Sequence, residues 1–312
     1  MNDFILRTLM LFGVAQSIVG TAPIETKIYN LTEFSSFQID DNIDVTVNIG
    51  DEYLVEVTTN ADIFNYLDIS VEDDTLIYTE KDNINIKDTD IKMHITCPKI
   101  SGIDISDDVN MTILDTIECS DLNMDISSDA TLLVNDIKAD NGFIDISTDA
   151  IFIIENMNIG ELSIELSTEA QLIADNINVD DLSIELSTDA QLTANNINVD
   201  DLSIELSTDA QLTANTNVSD TLRAITTTDA ILTLSGSAQD LHLDASLGSK
   251  ALMSKLIVNE ADLILGTGAT AEINATENIY LDDSSDSKLK IYSGNLIDNT
   301  EYYNPTKIEY FK

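Results

Sequence analysis

Between residues 101 and 291, apolar and polar side chains alternate in short bursts that restart every few positions. In 161–180, Leu162, Ile164 and Leu166 share one side of an extended segment, and Ser163 and Glu165 share the other. After Ser167-Thr168-Glu169 the alternation resumes with Ala170, Leu172 and Ala174. Asp175-Asn176 breaks it again before Ile177 and Val179, and Asp180-Asp181 closes the unit. The pattern predicts three short strands in every 20 residues, each with a single apolar side.

That unit repeats almost letter for letter. ELSIELSTEAQLIADNINVD at 161–180 is followed by DLSIELSTDAQLTANNINVD at 181–200 and DLSIELSTDAQLTANTNVSD at 201–220. Degenerate copies fill 121–160, and looser ones such as GIDISDDVNMTIL, TLRAITTTDAILTL and DLILGTGATAEI lie on either side. No copy can bury its apolar sides alone, so the copies must stack. The predicted fold is therefore all-β: a right-handed, single-stranded parallel β-helix (solenoid) of about ten rungs of about 20 residues, with an N-terminal β cap. A helical reading fails, because the period is two and breakers recur every few residues. A leucine-rich repeat would need a helical return, for which Ile-Asn-Val-Asp is a poor sequence.

The flanks lack the repeat. Residues 1–20 read as a secretory leader, with Arg7 ahead of the apolar run 8–14 and cleavage points at Ala15, Ser17 and Gly20. Residues 24–100 read as strands rich in large aromatics (Phe34, Phe37, Tyr53, Phe64, Tyr66 and Tyr78), forming a cap and the first coils. Within them Asn48-Ile49-Gly50-Asp51 suggests a hairpin turn. Residues 101–291 form the repeats, and 292–312, with Tyr292, Tyr302, Tyr303, Tyr310 and Phe311, a closing cap or tail.

Charge narrows the function. The 312 residues carry 57 acids against 14 Lys and Arg, a formal net charge of -43, so nucleic acid is not an expected partner. The 43% hydrophobic content, evenly patterned, separates the chain from disordered acidic sequences. Between Lys138 and Arg223 there is no basic residue, while 17 Asp and Glu occur there. Stacking predicts two acidic columns. One holds Asp129, Asp149, Glu169, Asp189, Asp209 and Asp229 at a turn; the other holds Asp125, Asp145, Glu165, Glu185 and Glu205 on a strand. Neighbouring carboxylates would repel by about 1 kcal/mol in water-like surroundings. Bound cations would relieve that, and Ca²⁺ is the candidate because the ligands are all oxygen. Polar columns are expected as well, of Asn176 with Asn196 and of Thr148, Thr168, Thr188, Thr208 and Thr228. Cys97 and Cys119, 22 residues apart, either form a disulfide in an oxidising compartment or remain core thiols.

Nothing points to catalysis. His94 and His242 share no metal-ligand spacing, and no nucleophile elbow, phosphate loop or Cys-x-x-Cys is present. Bare 20-residue rungs leave no room for the long loops that a carbohydrate-active β-helix enzyme builds its cleft from. Acids beside the Thr column count against an ice-binding array.

The order of FSSFQIDDNIDVTVNIGDEYLVEV, DDTLIYTEKDN and IKMHITCPKISGIDIS, followed by recurring strand–turn units such as Thr267-Gly268-Ala269-Thr270, resembles the auto-transporter adhesin head GIN domain family over roughly residues 30–295. The resemblance implies a β-helical, exported or surface-exposed protein and brings no catalytic residues. One departure stands out. Where the family places Gly in the turn, this chain mostly has Ser or Thr, which resist positive φ. Either the turn has another backbone shape or the Asp takes the special position. The expected function is a secreted or cell-surface adhesion module without membrane insertion. Its acidic faces would engage an extracellular protein or glycan, basic or cation-bridged. A structural spacer that self-associates through the solenoid ends is the alternative.

Overall fold

Stacking turns the sequence alternation into three sheets that share one core. The computed structural model describes residues 15–283, 286–298 and 307–311. Most of the predicted leader, residues 1–14, lies outside them; Gln16–Ile18 pairs in parallel with Ile84–Ile86. In the repeats each rung pairs in parallel with the next, in register on the first face, with register shifts near the corner after the second face from Ala194 onwards. Leu162 sits over Leu182 and Leu202 on the first face, Leu172 over Leu192 and Leu212 on the second, and Ile177 over Ile197 on the third. In one rung Leu162, Ile164, Leu166, Ala170, Leu172, Ala174, Ile177 and Val179 are all buried. The chain is a parallel β-solenoid of about ten rungs.

The turn between the first two faces departs from expectation. Ala170 N–H donates to Ser167 O at 3.2 Å, closing a four-residue turn. Both central residues are left-handed: Thr168 has φ 50° and Glu169 φ 64°. Thr148, Thr188, Thr208 and Thr228 do the same, with φ between 48° and 51°. Of the two alternatives the sequence left open, the acid does take the glycine position, and the Thr before it is left-handed as well, at a cost of about 1–2 kcal/mol for an L-residue in this region. Pairing between rungs holds it there. Glu169 N–H donates to Thr188 O at 2.9 Å, and Asp149, Asp189 and Asp209 make the equivalent bond at 3.0 Å. Only towards the C-terminal end do Gly248 (φ 82°) and Gly268 (φ 72°) take the second position.

At the corner between the second and third faces the asparagines form amide ladders. Asn156 donates to Asp136 at 2.8 Å, Asn176 to Asn156 at 2.9 Å, Asn196 to Asn176 at 3.1 Å and Asn215 to Asn196 at 3.2 Å. Every amide donates towards the earlier rung, and the series ends on a carboxylate that only accepts. A second ladder joins Asn198, Asn178 and Asn158.

The N-terminal end departs from sequence order. Strand Ser36–Ile39 lies between Thr75–Tyr78 and Gly102–Ile105, and Asp44–Ile49 lies between Lys92–Cys97 and Asn110–Ile113, all in parallel. The cap is antiparallel: Ile24–Tyr29 pairs with Leu54–Asn60, which pairs with Lys92–Cys97, and Leu67–Glu72 folds onto Thr75–Glu80. The expected hairpin across Asn48-Ile49-Gly50-Asp51 does not form, because Lys92–Cys97 runs between its two arms. Alternation identified both strands but carried no information on their partners. At the other end Lys307–Tyr310 adds in parallel to Lys288–Ile291, and Phe311 stacks on Tyr292 with centroids 5.1 Å apart.

The same insertion separates the cysteines. Cys97 pairs with Ile49 and Cys119 with Ala139, and both are free thiols. The 44–49 strand stands between the strand of Cys97 and the rung of Cys119, so spacing of one rung in sequence becomes two in space. That is roughly 9.6 Å along the stack at about 4.8 Å per rung, beyond the reach of a disulfide. The suggested link is therefore absent. Burial pushes the Cys97 thiol up to about 11.

Two outcomes follow. Replacing Thr168, Thr188 or Thr208 by Asn, which tolerates the left-handed region, should stabilise the fold by about 0.5–1 kcal/mol per position in urea unfolding; a loss of stability would show that the Thr turn is unstrained. Alkylation of chain unfolded without reductant should label both cysteines, and mass spectrometry should find no Cys97–Cys119 peptide.

Candidate functional site

The outward positions of the first face carry the most organised polar surface. The strand column expected from sequence is in register: Asp125, Asp145, Glu165, Glu185 and Glu205 stand directly over one another, with Asp104 ahead of them and Ile225 after. Parallel to it runs a column that the sequence reading missed, formed by Glu161, Asp181 and Asp201 and preceded by Asn141 and Asp121. Between the two lie Ser163, Ser183 and Ser203. The face thus presents two carboxylate rails flanking a line of serines. The rails are roughly 13 Å apart, four residues at about 3.3 Å each.

The surface beside the serines is concave. A groove of about 730 Å³ is lined by Glu161, Asp181, Asp201, Ser163, Ser183 and Ser203, with Gly142 at one end and Arg223 at the other. A second groove, of about 420 Å³, lies beyond the other rail, between Glu165, Glu185 and Glu205 and the turn serines Ser167, Ser187 and Ser207. The turn acids Asp129, Asp149, Glu169, Asp189, Asp209 and Asp229 form a further exposed column at the edge.

Electrostatics show where the columns strain. Burial, then the carboxylates of Asp125 and Asp40, holds the Asp104 carboxyl above its usual range. Burial, then Asp125, does the same to Asp145. The rows run along the stack rather than around a point. Among the described residues no group of three or more His, Cys, Asp or Glu converges to hold a metal ion. Ca²⁺ takes six to eight oxygens around itself, a geometry that a straight row with serines at its side does not supply.

The profile of the family described as "Putative auto-transporter adhesin, head GIN domain" matches residues 33–196 and 182–295. The chain belongs to this family. Its GIN-domain repeats span both the intercalated N-terminal rungs and the rails. Among solved structures, the chain is similar to one titled a putative adhesin from Parabacteroides merdae, at 14% identity and TM-score 0.40, covering 96% of this chain and 100% of that one. A putative adhesin from Parabacteroides distasonis matches at 13% identity and TM-score 0.41, covering 95% and 100%. A structure from the same species, titled a putative lipid binding protein, matches at 12% identity and TM-score 0.34, covering 95% and 100%. No curated protein matches the chain.

The raised carboxyls of the GIN-domain face fix the sign of its pH response. Asp104 and Asp145 hold protons more tightly in the folded than in the unfolded chain. They therefore weaken the fold at neutral pH, and that penalty is relieved as pH falls through their folded values towards the unfolded value of about 3.9. Stability should rise on acidification from neutral pH into the upper carboxylate range. Asp145→Asn should capture part of the gain at neutral pH, less than about 1 kcal/mol after solvent screening, and flatten the pH dependence of urea midpoints.

Proposed function

We propose that this GIN-domain chain is a secreted or cell-surface binding module whose first face engages an extracellular partner through its carboxylate rails. The observation that carries this reading is the pair of registered acidic columns on a stretch without a basic residue from 139 to 222. Such a face attracts and orients a basic partner by its field, and the regular spacing allows many weak contacts at once. The partner is a basic protein segment, or an anionic glycan reached through loosely held cations. Diffuse counter-ions along the rails suit the second route better than a built metal site, given the linear arrangement. Leader-like residues at the N-terminus and the family's adhesin description support an extracellular setting. Among the described residues no helix is long and apolar enough to cross a membrane.

Surface-immobilised chain should bind an oligo-lysine peptide with an affinity that falls steeply with salt. Replacing Glu161, Asp181, Asp201, Glu165, Glu185 and Glu205 together by their amides should weaken binding at least about tenfold and flatten the salt response, because counter-charges at the contact are removed. A gain in capture of a uronate polymer on adding millimolar Ca²⁺ that the amide variant loses would select the cation-bridged route. Unchanged oligo-lysine affinity in the amide variant, with no Ca²⁺-dependent capture, would sink the proposal.

A further inference from the structure

Arg223 ends the serine line where the acidic rails stop, and the face changes character beneath it. Ser203 stands before it in register; His242, Asp262 and Tyr280 follow in the same outward column. The adjacent outward column brings Asp244 and then Ile264, whose side chain is exposed. All of these but Ser203 line a cleft of about 380 Å³, to which Asp282 adds a third carboxylate. Arg223 is exposed and makes no ion pair among the described residues, despite a chain charge of -43. His242 Nδ1 lies 3.3 Å from Asp262 Oδ2, which orients the ring and leaves Nε2 for a ligand.

We propose that this cleft binds a saccharide that carries a carboxylate, such as a uronic acid unit. The planar guanidinium of Arg223 offers two parallel N–H donors, the geometry that grips a carboxylate. The Tyr280 ring and the Ile264 side chain give an apolar platform for the C–H face of a sugar ring. Asp244 and Asp262 accept hydrogen bonds from hydroxyl groups and repel any second negative charge. A ligand with one carboxylate and several hydroxyl donors meets all of these demands. An acidic peptide, with a carboxylate on most residues beside the one backbone N–H of each, does not. The site shares Arg223 with the end of the serine groove but draws on none of the rail carboxylates.

The test is calorimetric titration of the full chain with an otherwise neutral tetrasaccharide that carries a single glucuronate unit and with its carboxyl-reduced counterpart. Side-chain resonances of Arg223 and His242 are followed in parallel. The uronate should bind at least about tenfold more tightly than the reduced sugar, the scale of one charge-assisted pair, and should shift the Arg223 signals. Arg223→Gln should abolish that preference while circular dichroism shows an intact β fold, and Tyr280→Ser should weaken both sugars alike. Equal affinity for the two sugars, an unchanged preference in Arg223→Gln, or no binding of either at millimolar concentration overturns the proposal. Displacement of the uronate by an equal concentration of a Glu-rich peptide would reassign the cleft to acidic peptides and overturns it as well.

Discussion

Parallel in-register stacking is the constraint from which everything else in this molecule follows. A rung of about 20 residues has no interior of its own; its apolar side chains are buried only because identical ones lie above and below. Register is strict, since a slip of one residue would turn Leu162, Ile164 and Leu166 to solvent and bring Ser163 and Glu165 into the core. Once register is set for the core, it is set for every other position. The amide ladders, the left-handed turns and the carboxylate rails are the same alignment read at different places on the rung.

Magnitudes show why the rails are tolerated. A neighbouring carboxylate pair in a water-like environment costs about 1 kcal/mol, less with salt. Burying one Leu or Ile contributes about 1.5–3 kcal/mol. Each central rung buries Leu162, Ile164, Leu166, Leu172, Ile177 and Val179 or their equivalents against four or five acids. The core burial exceeds the repulsion, which is why register is set by the core and the acids follow it. Asn ladders add hydrogen bonds whose amide dipoles all point one way, and the carboxylate at the end of the longer one makes its last bond charge-assisted.

The central architecture was legible because the repeat displays its three faces and their phase shifts openly. Leu162 to Val179 alternate, break at Ser167 and Asp175, and point inward as the pattern predicts. The N-terminal rungs were not legible. Alternation at 44–49 and 92–97 marks strands but cannot say that the second inserts beneath the first, and this choice undid both the hairpin and the cysteine pairing. Thr in the turn also misled, because its local preference opposes the φ that the neighbouring rungs impose. The column through Arg223, His242, Asp262 and Tyr280 was hidden by small changes in period. Successive steps of 19, 20 and 18 residues separate its members, so His242 stands alone in the sequence until the turns at Thr228 and Leu247 are aligned.

Because each asparagine of the longer ladder donates to the rung before it and accepts from the rung after it, a duplicated rung brings with it both halves of every such bond that it interrupts. The acceptor Asp136 at one end and Ser235, which donates to Asn215 at the other, need no change when copies are added between them. Length is thus decoupled from chemistry. A lineage can lengthen or shorten the rod in steps of about 4.8 Å by recombination within the repeat, without redesigning either terminus. For a molecule displayed on a cell, the distance reached from the surface becomes a heritable dimension that can vary while the fold stays the same.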